Sequence, residues 1–194
     1  QNNYFYDSRS HNLQNQINQV IENPVEFNTD ITEVTTKILA NEEYSNKFIA
    51  AYNKEPNPVI ILDAISQYIK SLHPFNSKFD RNMNGLEASL SKSEKNGFNL
   101  FMGKAECGTC HFAPVFNGTV PPYFETTEME LIGVPKDNQN LALSSDLGRF
   151  DVNNIENRKH FFKTPSIRNS SETAPYMHNG SYNTLEKVID FYNV

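Results

Sequence analysis

The chain's only two cysteines, Cys107 and Cys110, stand three residues apart, and His111 follows at once. Two thiols about one helical turn apart can form thioethers to both vinyl groups on one edge of a porphyrin. The adjacent imidazole then reaches the iron. Cys-x-x-Cys-His is accordingly the attachment pattern of c-type haem. Three other chemistries use the same residue types. Structural zinc needs four ligands, usually from a second Cys or His pair, and no second pair is present. A redox dithiol sits after a strand in a βαβ unit, whereas this region reads as a helix followed by a loop. A plain disulfide between Cys107 and Cys110 is the simplest alternative.

If His111 takes one axial position, the group on the opposite face of the iron separates an electron carrier from a reaction centre. That group should come from a downstream segment able to fold back over the porphyrin. Tyr176-Met177-His178 offers three donors in succession, and Tyr192 offers a fourth. Met177 leads on ligand chemistry, because His/Met ligation is usual in electron-transfer cytochromes c; its structural alternative is gap-filling in a core. Tyr192 shares a helical face with Leu185, Val188 and Ile189, so it can equally be a core aromatic. Ligand chemistry leaves the two open.

The elements that must position these residues are mostly helical. Leu13, Ile17, Val20 and Ile21 form one stripe, closed by Asn23-Pro24. Ile31, Val34 and Ile38 continue the period in a second helix, and Tyr44, Phe48 and Ala51 in a third. A fourth begins near Asp63, aligns Ile65, Ile69 and Leu72, and stops at His73-Pro74. Ser91-x-x-Glu94 is a capping box ahead of Phe98 and Phe101, and that helix should end near Gly103 and deliver the cysteines. Residues 112 to 160 are rich in turn signals, including Asn117-Gly118 and Pro121-Pro122, so any strands there are short. Asn183 or Thr184 can cap a last helix carrying Leu185, Val188, Ile189 and Tyr192. The expected fold is mostly α, with long ordered loops wrapped around a site or cofactor.

Seventeen basic against 23 acidic residues leave a formal charge of -6. That disfavours a general nucleic-acid role, which needs a basic footprint, and suits steering of a basic redox partner. The longest apolar run, Val59–Leu62, is far short of the roughly 18 residues of a membrane span. No basic-then-apolar leader opens the chain, so any targeting segment is expected to have been removed. Covalent haem would place the protein outside the cytoplasmic membrane, in the periplasm or an organellar equivalent.

Several longer strings support a specific resemblance. They are Asn23-Pro24-Val25-Glu26, Phe79-Asp80-Arg81, Gly103 through His111, Ile132-Gly133-Val134-Pro135, Asp146-Leu147-Gly148-Arg149-Phe150, Phe162 through Asn169, and Thr173 through Gly180. In type and order they resemble the bacterial di-haem cytochrome c peroxidase superfamily, including its maturase-like, tyrosine-ligated branch. The resemblance implies a cytochrome c-like helical domain with long loops around a covalent haem c, at residues 86–194. It implies an inter-domain helical segment at 1–85, and a second haem on an N-terminal domain outside this chain. The chain would be a fragment: the electron-transfer haem domain of an enzyme that reduces hydrogen peroxide, or stores oxidising equivalents, with electrons from a small redox protein. Alone it would turn over little peroxide. The rival function is a mono-haem carrier without turnover.

Residue by residue, the resemblance implies Tyr192 as the distal iron ligand, because the family's ligand lies 17 residues past the proline matched by Pro175. Met177 falls on a non-ligand position. Glu26 matches the acid/base carboxylate of the peroxide pocket, and Gln16, ten residues earlier, matches its hydrogen-bonding glutamine. Read without the resemblance, both are ordinary surface side chains. Thr173 and Pro175 match backbone-carbonyl ligands of a calcium ion, a donor type suited to that hard cation. Tyr6 stands where the family has a tryptophan electron relay, and a tyrosine is oxidised only with loss of its proton.

Overall fold

Four helices begin where a short polar side chain can receive their unpaired N–H groups. Asn12 accepts from Asn15 N (2.8 Å), Asp30 from Thr32 N (2.7 Å) and Glu33 N (2.9 Å), Asn41 from Tyr44 N (3.1 Å), and Asn57 from Val59 N (3.1 Å). The Asp30 bonds hold its carboxyl below the ordinary carboxylate value. The helices are α1 Leu13–Glu22, α2 Ile31–Leu39, α3 Glu42–Tyr52 and α4 Pro58–Ser71. The computed structural model describes residues 3–72, 75–86 and 89–193. These helices, with the short α5 Lys78–Met83, form one compact unit, Ser10–Ser91.

Of the stripe expected for α1, Leu13, Ile17 and Ile21 are buried and Val20 is half-buried, with α1 against α4 and α2. Asn23 ends α1 in extended backbone (ψ 122°), the conformation that Pro24 imposes on its predecessor. Two expectations need correction. Helix α4 starts at Pro58 and not near Asp63, because Asn57 and Pro58 supply an N-cap and a preset first turn. Its buried positions are Ile61 and Ser66, whose hydroxyl donates to Leu62 O (2.8 Å), while Ile69 and Leu72 remain exposed. In α3, Tyr44 is exposed and Phe48 is half-buried beside Tyr52. The Tyr52 hydroxyl donates to Asp63 Oδ2 (3.0 Å), tying α3 to α4. The stop expected at His73-Pro74 lies outside the described residues. Helix α5 was not expected; a capping box between Ser77 and Asp80 starts it.

The second unit joins Gln1–Arg9 to Lys92–Val194. The N-terminal strip is held there by backbone and side chain. Lys163 N donates to Tyr6 O (2.7 Å), and Arg149 Nη1 donates to Asp7 O (3.2 Å) and Ser8 O (2.7 Å). This unit contains α6 Lys92–Met102, α7 Arg149–Asn153 and α8 Leu185–Tyr192. Its sheet pairs β1 Met129–Glu130 antiparallel with β2 Phe162–Lys163, Met129 opposite Lys163 and Glu130 opposite Phe162. As the turn signals require, the rest of 112–160 is loop apart from α7 and a 3-10 turn at Glu156–Arg158.

Among the described residues, the buried apolar side chains of this unit are Val134, Phe162 and Tyr182. Buried polar residues outnumber them, with Asn117, Thr119, Thr127, Ser144, Thr164 and Ser181 all inside. His178 stacks on Phe162 with ring centroids 3.7 Å apart, its Nε2 3.9 Å from Asp146 Oδ2. Burial pushes this imidazole below its ordinary value, partly opposed by the Asp146 charge. Gly148, in the Asp-Leu-Gly-Arg string, has φ +58°, and a Cβ there would lie 2.6 Å from Phe161 O. Only glycine fits that approach.

Candidate functional site

Helix α6 ends at Met102, where Gly103 N bonds Asn99 O (2.9 Å) and a Cβ on Gly103 would meet that same oxygen at 2.8 Å. Glu106 then turns the chain through left-handed backbone (φ 55°) into a 3-10 turn, Cys107–Thr109. His111 N closes the turn on Cys107 O (3.0 Å). The expected sequence of helix end, Cys pair and histidine is therefore what the chain builds. Cys107 is exposed and Cys110 is partly covered, and the two form no disulfide with each other.

His111 is held by the rest of the unit. Its Nδ1 lies 3.1 Å from Pro165 O and 3.3 Å from Phe116 O. Carbonyl oxygens only accept, so Nδ1 must carry the hydrogen and Nε2 keeps its lone pair. Burial lowers the imidazole's proton affinity, against the two carbonyls, which favours the neutral ring. A neutral histidine with Nδ1–H fixed by a carbonyl is the form that ligates metals through Nε2. The Phe101 ring lies 6.4 Å from the imidazole and 5.8 Å from the Phe116 ring.

Arg168 secures this arrangement. Its Nε (3.1 Å) and Nη2 (2.8 Å) both donate to Pro114 O, and its guanidinium lies over the Phe116 ring at 5.6 Å. Ser166 Oγ donates to Val115 O (2.9 Å), and Ile167 N to Phe116 O (3.0 Å). The Phe162–Asn169 string thus clasps the loop that follows the Cys pair. Arg168→Ala should lower unfolding stability by about 1.5–3 kcal/mol, the usual scale for hydrogen bonds to a charged group. Arg168→Lys should recover little, because an ammonium cannot reproduce the planar fork. Guanidinium chloride unfolding of the three proteins checks this.

Burial raises the Cys110 thiol above its ordinary value, with Glu130, Glu128 and Cys107 adding to the effect. Tyr192, at the end of α8, exposes 57% of its surface. Burial first, then the Cys110, Cys107 and Glu130 charges, keep its phenol proton on more firmly than usual. Thr184 starts α8, accepting from Lys187 N (3.3 Å), but Ile189 stays 66% exposed and no α8 residue is buried. The alternative of a core aromatic at Tyr192 loses support from this exposure, and an apolar helix face left uncovered by protein fits contact with a flat apolar group.

The remaining candidates fall as follows. Tyr176 donates its hydroxyl to Ser170 O (2.8 Å), and His178 stacks on Phe162 with its buried Nε2 3.9 Å from Asp146 Oδ2 and in no hydrogen bond. Met177 is half-buried in a left-handed turn (φ 68°). Thr173 and Pro175 flank Ala174 in the segment between the 3-10 turn Ser170–Glu172 and that turn. Tyr6 is 44% exposed, its carbonyl on β2 two residues before Pro165. Gln16 lies half-buried on α1, and Glu26 is exposed in the loop after α1, both in the helical unit. Among the described residues, no group of three or more His, Cys, Asp or Glu is placed to hold a metal ion. No described helix is long and apolar enough to cross a membrane. Sequence reading missed the holders, Pro165, Phe116 and Arg168; the Thr164-Pro165-Ser166-Ile167-Arg168 string was the available signal.

Comparison with known proteins agrees with these features. A family model described as di-haem cytochrome c peroxidase matches residues 1–88. Cytochrome c peroxidase Ccp of Escherichia coli K12 is 30% identical over 187 residues, covering 95% of this chain and 38% of that protein. Cytochrome c551 peroxidase of Nitrosomonas europaea is 31% identical over 190 residues, covering 96% and 53%. The crystal structure of a MauG-like protein associated with microbial copper homeostasis superposes with a TM-score of 0.82 at 28% identity, covering 97% of this chain and 57% of that one. The chain spans about half the length of the curated relatives it matches, in their C-terminal part.

Proposed function

From the premise that this chain belongs to the di-haem cytochrome c peroxidase family, we propose that it is the electron-transfer haem unit of a peroxide-reducing enzyme. Cys107 and Cys110 would hold one haem c by thioethers, and His111 Nε2 would ligate its iron. Tyr192 would supply the second protein ligand in preference to Met177. The observation that carries this reading is the His111 ring itself, fixed by Pro165 and Phe116 carbonyls in the ligating tautomer directly after the Cys pair. The place of Tyr192, 17 residues past Pro175, supports the choice of distal ligand.

A bound haem supplies one-electron redox chemistry at its iron. The chain's own residues do the rest. His111 is oriented and kept neutral by its carbonyl partners. Tyr6, whose carbonyl bonds the strand leading to Pro165, is the relay position. In the helical unit, Gln16 hydrogen-bonds peroxide and Glu26 moves a proton from one peroxide oxygen to the other, the acid/base work that cleavage of the O–O bond requires. Hydrogen peroxide takes up two electrons and two protons to give two waters, the electrons coming from a small redox protein. The peroxide pocket is completed by a second haem on an N-terminal domain, calcium is held by the Thr173 and Pro175 carbonyls, and the protein works in the periplasm.

The test is haem stoichiometry and turnover. The full-length protein, matured in a host competent for haem attachment, should contain two haems by pyridine haemochrome and reduce hydrogen peroxide. Residues 1–194 alone should carry one haem and turn over little. One haem in the full-length protein, or rapid peroxide turnover by residues 1–194 alone, would overturn the proposal.

A further inference from the structure

The end of α1 contains one residue whose every polar atom is in use. Asn23 N donates to Gln19 O (3.1 Å), which anchors the residue to the helix. Its carbonyl accepts from both Glu26 N and Asn28 N, each at 3.0 Å. Its side-chain Oδ1 accepts from Val25 N (3.1 Å), and its Nδ2 donates to the Glu26 carboxylate at 2.6 Å. The amide orientation is not arbitrary. Val25 N is a donor and needs an oxygen opposite it, so the nitrogen must face Glu26.

One side chain therefore folds the 23–28 loop with one end and grips the carboxylate with the other. Pro24 adds rigidity by holding Asn23 extended (ψ 122°). The grip matters because Glu26 is exposed, with flanking Val25 (88% exposed) and Phe27 (70%) unable to restrain it by packing. Gln16 sits on the same helix that anchors Asn23, so the amide of the peroxide pocket and its carboxylate are referred to one rigid element.

We propose that Asn23 is the positioning residue of the peroxide-cleaving carboxylate: its side-chain amide aims Glu26 relative to Gln16. This rests on the acid/base reading of Glu26 above, and the test separates the two. Asn23→Asp is the informative change in the full-length, haem-loaded protein. It keeps the oxygen that Val25 N needs and replaces the donor facing Glu26 by a repelling oxygen. The melting temperature should stay within about 2 °C, as for a substitution that preserves the turn. A crystal structure should show the 23–28 backbone in place and the Glu26 carboxylate displaced. Misaiming a reacting group by about 1 Å can cost on the order of 100-fold, so kcat for hydrogen peroxide should fall roughly 10- to 100-fold, with KM held within about twofold.

Glu26→Gln should cost about 100-fold or more. Adding Asn23→Asp to it should cost no more than about a further twofold, since both changes remove one function. If Glu26→Gln is slow but Asn23→Asp turns over at the wild-type rate, or if the two losses simply multiply, the positioning role is wrong while the acid/base reading stands. If Glu26→Gln is itself at the wild-type rate, the acid/base reading fails and this proposal falls with it.

Discussion

Replacing Cys107 and Cys110 together by serine should abolish covalent haem in residues 1–194, from one per chain to none by mass spectrometry of denatured protein. The thioether is the only bond that survives denaturation, and these are the chain's only thiols. Single substitutions should leave one thioether. The remaining vinyl group should then shift the reduced pyridine spectrum to longer wavelength. The effect should reach the fold unevenly. Residues Lys92–Val194 bury few apolar side chains among those described, and α8 leaves Ile189 and Tyr192 uncovered. That unit should lose its amide protection in the double variant. The Ser10–Ser91 unit keeps its own core of Leu13, Ile17, Ile21 and Ile61, so its slow-exchanging amides should persist. Full covalent loading of the double variant, or a colourless and fully folded wild type from a competent host, would defeat the haem reading.

The Cys-x-x-Cys-His centre was legible in the sequence because its chemistry fixes residue types at fixed spacing. Helices α1 and α2 were legible because apolar period and cap coincide, and α6 because Phe98 and Phe101 precede the stop at Gly103. The start of α4 was not, because its signal, Asn57-Pro58, precedes the apolar stripe that was counted. Helix α5 has only six residues and no period to detect; a serine-aspartate capping box sets it. Least legible were the groups that hold His111. Pro165 O and Phe116 O are backbone carbonyls, and a carbonyl carries no residue signature. Only folding brings a position 54 residues downstream against the histidine. Asn23 was quoted for the string it belongs to, yet its double grip on Val25 and Glu26 depends on a turn geometry that a motif does not display.

The same distinction bears on Tyr192. Apolar period on α8 supported a core aromatic, and ligand chemistry alone supported Met177. Neither argument weighs the place of the residue, 17 positions past Pro175, where the resemblance puts the ligand. A phenol bound to the iron would give up its proton, since bound cations invert local proton affinities. The anionic oxygen then favours ferric iron, whereas a neutral thioether favours ferrous iron. Tyr192→Met should therefore raise the haem's midpoint potential by on the order of a few hundred mV, within the span of about 0.8 V available to axial ligands. The ferric protein should gain a weak sulfur-to-iron band near about 695 nm. Folding should be little affected, because Tyr192 is 57% exposed. Met177→Ala should leave potential and spectrum as they are. A wild-type protein that already shows the sulfur band and loses it in Met177→Ala would transfer the ligand role to Met177. The unit would then behave as a high-potential carrier, since a ligand that stabilises ferrous iron opposes the storage of an oxidising equivalent.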